Sequence, residues 1–100
     1  MGRLALTTLT TGSNNAAFGN STLATNTTGA RNTALGDGAL YANTTANDNT
    51  GVGYAALVAN TTGTQNTVMG AIAGDALTEG SNNTAYGYGC LLYTSDAADE

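Results

Sequence analysis

Between residues 2 and 89 the large apolar side chains return every 17 residues, and the polar residues between them keep the same period. Cut at that interval, TGSNNAAFGNSTLATNT (11–27) is followed by TGARNTALGDGALYANT (28–44), TANDNTGVGYAALVANT (45–61) and TGTQNTVMGAIAGDALT (62–78). GRLALTTLT (2–10) and EGSNNTAYGYG (79–89) fall in frame at the two ends, without insertion or deletion. Phe18, Leu35, Val52, Met69 and Tyr86 form one bulky apolar column, each followed by Gly. Leu6, Leu23, Leu40 and Leu57 form a second, five residues further on, which Gly74 breaks. Asn15, Asn32, Asn49, Asn66 and Asn83 form a polar column, with Thr33, Thr50, Thr67 and Thr84 beside it. The consensus is G-x-x-A-L-x-x-N-T-T-G-x-x-N-T-A-φ, where φ is bulky and apolar.

Each part of that consensus predicts an element. N-T-A-φ alternates as a short half-buried strand does, and the Gly after it permits a bend. T-T-G-x-x-N reads as a turn, because Gly supplies positive φ and Asn tolerates it. The A-L-x-x-N portion fits either a second short strand or one helical turn, since periodicity over five residues does not separate the two. One unit cannot bury its two bulky side chains alone, whereas stacked units place φ on φ and Leu on Leu as continuous ribs. The expected fold is therefore mostly β: a 17-residue-repeat β-solenoid or β-roll, with a short helical turn per repeat as an option. For the Asn column two arrangements are open, a ladder of side-chain amides along the stack or a local turn contact within each unit.

Composition adds a constraint on size and assembly. Thr, Ala, Gly and Asn supply 63 residues, while Leu, Ile, Val and Phe supply 15, fewer than a packed globular core commonly uses. Two large apolar residues per unit are few against the entropy of ordering 17 residues. The expectation is an obligate oligomer whose Ala and Gly positions let chains approach closely. Two Arg and no Lys argue against a phosphate-tracking nucleic-acid binder. The lack of His, with a single Cys, leaves the usual hydrolase and metal-ligand sets without members. No apolar run approaches the roughly 20 residues of a membrane span.

The last eleven residues, CLLYTSDAADE (Cys90 to Glu100), break this composition. They resemble a translated sequencing adapter, whose transposon end reads Cys-Leu-Leu-Tyr-Thr-Ser in one frame and continues Asp-Ala-Ala-Asp-Glu. Such a segment stays out of fold reasoning. The expected organisation is a fragment of a repeat array over 1–89, about five repeats, followed by a non-native tail over 90–100. Without the tail there is no Cys, and two Arg stand against Asp37, Asp48, Asp75 and Glu79, a formal charge of −2 rather than −5.

The order N-T-A-φ-G…A-L-x-x-N-T-T-G resembles the repeats of bacteriophage tail fibre proteins, many of which end in an endosialidase-type intramolecular chaperone. The A-φ-G words (Ala17-Phe18-Gly19, Ala34-Leu35-Gly36, Ala85-Tyr86-Gly87) are also similar to the head repeats of trimeric autotransporter adhesins. The fourth unit departs from the pattern, with Gly74, Asp75 and Leu77 in place of Leu, x and Asn. The first resemblance implies a homotrimeric structural shaft or spacer of a virion. It would project a receptor-binding tip, with the host-surface receptor met by regions outside this sequence. The second implies a bacterial cell-surface adhesin head that binds host glycan or protein.

No catalytic, cofactor-binding or metal-binding residues are expected. Tyr41, Tyr54 and Tyr88 read as rib or surface aromatics, and Asp37 and Asp75 as turn or cap residues. The Asn-x-Ser/Thr words at Asn20, Asn26, Asn43, Asn60 and Asn82 follow from the repeat and read as turn residues, not glycosylation sites. An ice-binding solenoid is a remote alternative. Its flat face needs Thr at i and i+2, but the residues two after Thr33, Thr50 and Thr67 are Leu35, Val52 and Met69.

Overall fold

The computed structural model describes residues 3–90, so the expectation for the tail lies almost wholly outside the described residues. Five strands, β1 (Ala16–Phe18), β2 (Thr33–Leu35), β3 (Thr50–Val52), β4 (Thr67–Met69) and β5 (Thr84–Tyr86), form one parallel sheet in sequence order. Each residue pairs with the residue 17 further on: Ala17 with Ala34, Ala34 with Gly51, Gly51 with Val68, Val68 with Ala85. The chain is a β-solenoid of about four turns, with one strand per turn. The optional helical turn is not formed. Turns and bends, with no helix among the described residues, fill the rest of each coil.

The strands stop after three residues for a steric reason. Gly19, Gly36, Gly53, Gly70 and Gly87 follow them at φ between +107° and +128°, which side chains rarely adopt. A Cβ on Gly36 or Gly53 would stand 2.7 Å from backbone atoms of the glycine one coil on. The bare backbones therefore stack directly. Gly36, Gly53, Gly70 and Gly87 donate their N–H groups to Phe18, Leu35, Val52 and Met69 carbonyls at 2.7–2.8 Å, which holds the bend in register.

In each strand the middle residue is buried and its two neighbours face outward. The interior of the coil is consequently Ala17, Ala34, Gly51, Val68 and Ala85 from the sheet, with Leu23, Leu40 and Leu57 facing them from the turns. The φ column does stack, but on the outside. That corrects the expectation of a second buried rib. Four of its members, Phe18, Leu35, Met69 and Tyr86, are 40% to 61% exposed, and Val52 is half-buried. A 17-residue coil encloses too narrow a lumen for Leu from the turn and Phe or Met from the strand together, so Ala takes the inward strand position.

The fourth unit shows how tightly that volume is conserved. The Leu column holds positive φ throughout, 49° to 54° at Leu6, Leu23, Leu40 and Leu57, and Gly74 takes 67° there. A Cβ on Gly74 would lie 3.2 Å from Leu57 Cδ2 and 3.4 Å from Val68 Cγ2. The Val68 side chain, the largest of the inward strand residues, fills space that Leu would claim in this coil. Leu77, fully buried three residues later, restores the lost apolar volume.

Candidate functional surface

The polar interior decides what the outside is free to do. Asn32, Asn49, Asn66 and Asn83 are fully buried. Oδ1 of Asn15 accepts from the backbone N–H of Asn32, and the same bond repeats from Asn32 to Asn49, Asn49 to Asn66 and Asn66 to Asn83, at 2.9–3.0 Å. Nδ2 of Asn15, Asn32, Asn49 and Asn66 donates to the carbonyls of Gly29, Ala46, Gly63 and Gly80 in the next coil, at 2.8–2.9 Å. This column is mainly neither an amide-to-amide ladder nor a local turn contact. Each side chain clamps two backbone groups of the following coil, satisfying buried groups that would otherwise be costly.

A second buried column, Asn26, Asn43 and Asn60, escapes a reading based on sequon words. Here both arrangements coexist. Asn43 Nδ2 donates to Asn26 Oδ1 and Asn60 Nδ2 to Asn43 Oδ1, at 2.9 and 3.2 Å. The same Nδ2 groups, with that of Asn26, donate locally to the carbonyls of Gly29, Ala46 and Gly63. Asn49 Nδ2 ties the columns together through Asn43 Oδ1 at 3.3 Å. One signal in the sequence could have found this column: its next member is Leu77, fully buried, and an apolar replacement there points to an inward position. Asn60 Oδ1 is left without a donor because the next residue in its column is Leu77. Asn26, Asn43 and Asn60 are thus sealed inside, whereas Asn20 and Asn82 are exposed.

Apart from the unpaired Oδ1 atoms of Asn60 and Asn83, the interior amides are satisfied within the stack, and the outer surface carries three features. The first is the outward apolar column of the sheet, with Thr33, Thr50, Thr67 and Thr84 alongside it on the same face. Thr33, Thr50 and Thr67 pair with one another, and Leu35, Val52 and Met69 pair with one another two residues on, so that face carries a single Thr rank and not the double rank of an ice-binding surface. The second is a column of left-handed turn residues, Asn14, Arg31, Asp48, Gln65 and Asn82, with φ from 58° to 65°. Within it Arg31 Nε lies 2.7 Å from Asp48 Oδ1, one coil apart. That hydrogen bond holds the Asp48 carboxyl below its ordinary range and raises the Arg31 guanidinium, both at an exposed position. The third is a set of exposed tyrosines, Tyr41, Tyr54, Tyr86 and Tyr88.

Asp37 and Asp75 lie in turns, and Glu79 is exposed. Among the described residues no cavity opens and no group of three acidic, Cys or His side chains gathers as a metal site would require. No described helix is long and apolar enough to cross a membrane. The chain matches no protein-family model, no curated protein and no solved structure.

Proposed function

We propose that this chain is a segment of a fibrous shaft, a spacer of the kind found in phage tail fibres, in which copies pack side by side through the outward apolar column, as a homotrimer. The observation that carries the reading is that column. Five bulky side chains stand in register on one outer face, one per coil, instead of in the core. Contiguous apolar stripes of this kind mark contact surfaces. Fully burying such a side chain is worth roughly 1.5–3 kcal/mol. Five half-exposed ones offer about 4–7 kcal/mol per chain on that scale, near the lower end of the roughly 4–15 kcal/mol that association costs. Affinity should therefore climb steeply with the number of coils, which suits a long shaft. The segment would bear load and set length. Receptor contact, in a virion, would fall to other parts of the fibre.

Sedimentation equilibrium of the chain tests the reading. Wild type should show self-association, and Leu35→Asp with Met69→Asp should abolish it while the coil stays folded by circular dichroism. A monodisperse, cooperatively melting wild-type monomer at high micromolar concentration refutes the proposal.

A further inference from the structure

The exposed tyrosines are not spread evenly around the solenoid. Tyr54 and Tyr88, 60% and 77% exposed, share one column, with Arg3, Asn20, Asp37 and Ala71 as its other members. This column begins after the stacked glycines, so it is separate from the apolar face to which Tyr86 belongs. On its own coil each ring has only small neighbours: Gly53 and Ala55 flank Tyr54, and Gly87 and Gly89 flank Tyr88. Nothing bulky in the chain next to them competes for the ring faces.

The separation of the two rings is set by the coil. They are 34 residues apart, two coils, which at one strand spacing per coil is about 9.6 Å along the axis. Ala71, between them, leaves the gap open. Asp37, one coil above Tyr54, is an exposed carboxylate on the same line. The order is thus acid, aromatic, gap, aromatic, on a surface without a cavity among the described residues. Such a surface cannot enclose a small molecule. It can meet the side of a rigid polymer whose apolar faces recur at the same distance.

We infer that Tyr54 and Tyr88 form a two-ring platform for an extended β-1,4-linked glycan lying along the solenoid axis. In such a polymer the pyranose faces carry C–H groups and the edges carry hydroxyls. Equivalent faces recur once per disaccharide, a length close to the spacing of the two rings. Each tyrosine stacks on one sugar face, and the Asp37 carboxylate accepts from hydroxyls beyond the first ring. Binding is shallow and additive, so it depends on both rings meeting one chain. A protein partner fits the column less well, because Arg3, Asn20, Asp37 and Ala71 interrupt its apolar character. The inference stands apart from the shaft reading, since it uses a different column.

Affinity gel electrophoresis of the full chain tests it, with hydroxyethylcellulose and glycol chitin as β-1,4-linked probes and dextran as the α-linked control. Wild type should be retarded by the β-linked polymers and not by dextran. Tyr54→Ala and Tyr88→Ala should each weaken retardation about fivefold, the size of one lost stacking contact. Tyr41→Ala, in another column, should leave it unchanged. Asn20→Tyr adds a third ring two coils above Tyr54 and should strengthen binding at least as much as one loss weakens it. Free mobilities and circular dichroism establish that each variant is folded. No retardation of wild type, equal retardation in dextran, or indifference to both Tyr54→Ala and Asn20→Tyr overturns the inference. Loss of self-association in the Leu35→Asp, Met69→Asp chain does not bear on it.

Discussion

Asn49→Asp is the sharpest probe of the interior. Asn49 is fully buried at the middle of the long Asn column. Its backbone N–H donates to Asn32 Oδ1 at 2.9 Å, and its own Oδ1 accepts from Asn66 N–H at 3.0 Å. Its Nδ2 donates to Gly63 O at 2.8 Å and to Asn43 Oδ1 at 3.3 Å. Aspartate keeps the shape and the Asn66 contact, but puts a second oxygen against two acceptors. A protonated carboxyl can still donate to Gly63 O, whereas an ionised one cannot. The folded state therefore holds this carboxyl above the ordinary value near 3.9, and full burial raises such groups by as much as 3–5 units. The sign follows from linkage. Below about pH 3.9 the group is neutral in both states and ionisation costs nothing. As pH rises past the unfolded value, stability falls by about 1.4 kcal/mol per unit until the folded value is reached. At pH 7 the loss is about 4 kcal/mol, a large share of the 5–15 kcal/mol of an ordinary domain. Urea melts of wild type and variant at pH 3.5 and pH 7, differenced at each pH, read it directly. A loss under about 0.5 kcal/mol at pH 7 would show that water reaches the column. A loss equal at both pH values would show that geometry, not charge, is responsible.

Three further outcomes are expected. Gly53→Ala, at φ +126° with its new Cβ 2.7 Å from Gly70 backbone atoms, should cost about 3 kcal/mol or more by urea melt. Gly38→Ala, at φ +75° with its nearest neighbour 3.9 Å away, should cost only about 1 kcal/mol. Ala46→Gly should stabilise the chain by about 0.5–2 kcal/mol net of backbone entropy. Thr27 O and Thr44 O each accept three turn amides, ending at Gly12 and Gly29, but the Ala46 turn makes no such bonds to Thr61 O. Amide exchange at residues 44–46 should slow accordingly. Asp48→Asn should lower the melting temperature slightly near neutral pH, where the Arg31 bond is fully formed. Because the folded carboxyl lies below its ordinary value, that difference fades as pH falls through the acid range, and it shrinks in high salt.

The sequence by itself determined the period, the parallel in-register stack and the class of fold. A fixed 17-residue spacing leaves no other way for Asn15, Asn32, Asn49, Asn66 and Asn83 to share an environment. It also fixed that Thr33 and Leu35 lie opposite Ala34, because strand residues alternate. What alternation does not state is which side faces in. That was decided by the cross-section of the coil, where the turn leucines already occupy the lumen and leave room only for Ala, Gly or Val beneath them. The same closure buried Asn26, Asn43 and Asn60, whose N-T-T words read locally as turns. It also let Val68 and Leu77 stand in for a leucine at position 74. Volume inside a closed coil is shared between residues distant in the repeat, and a column read alone carries no record of how much its neighbours leave it.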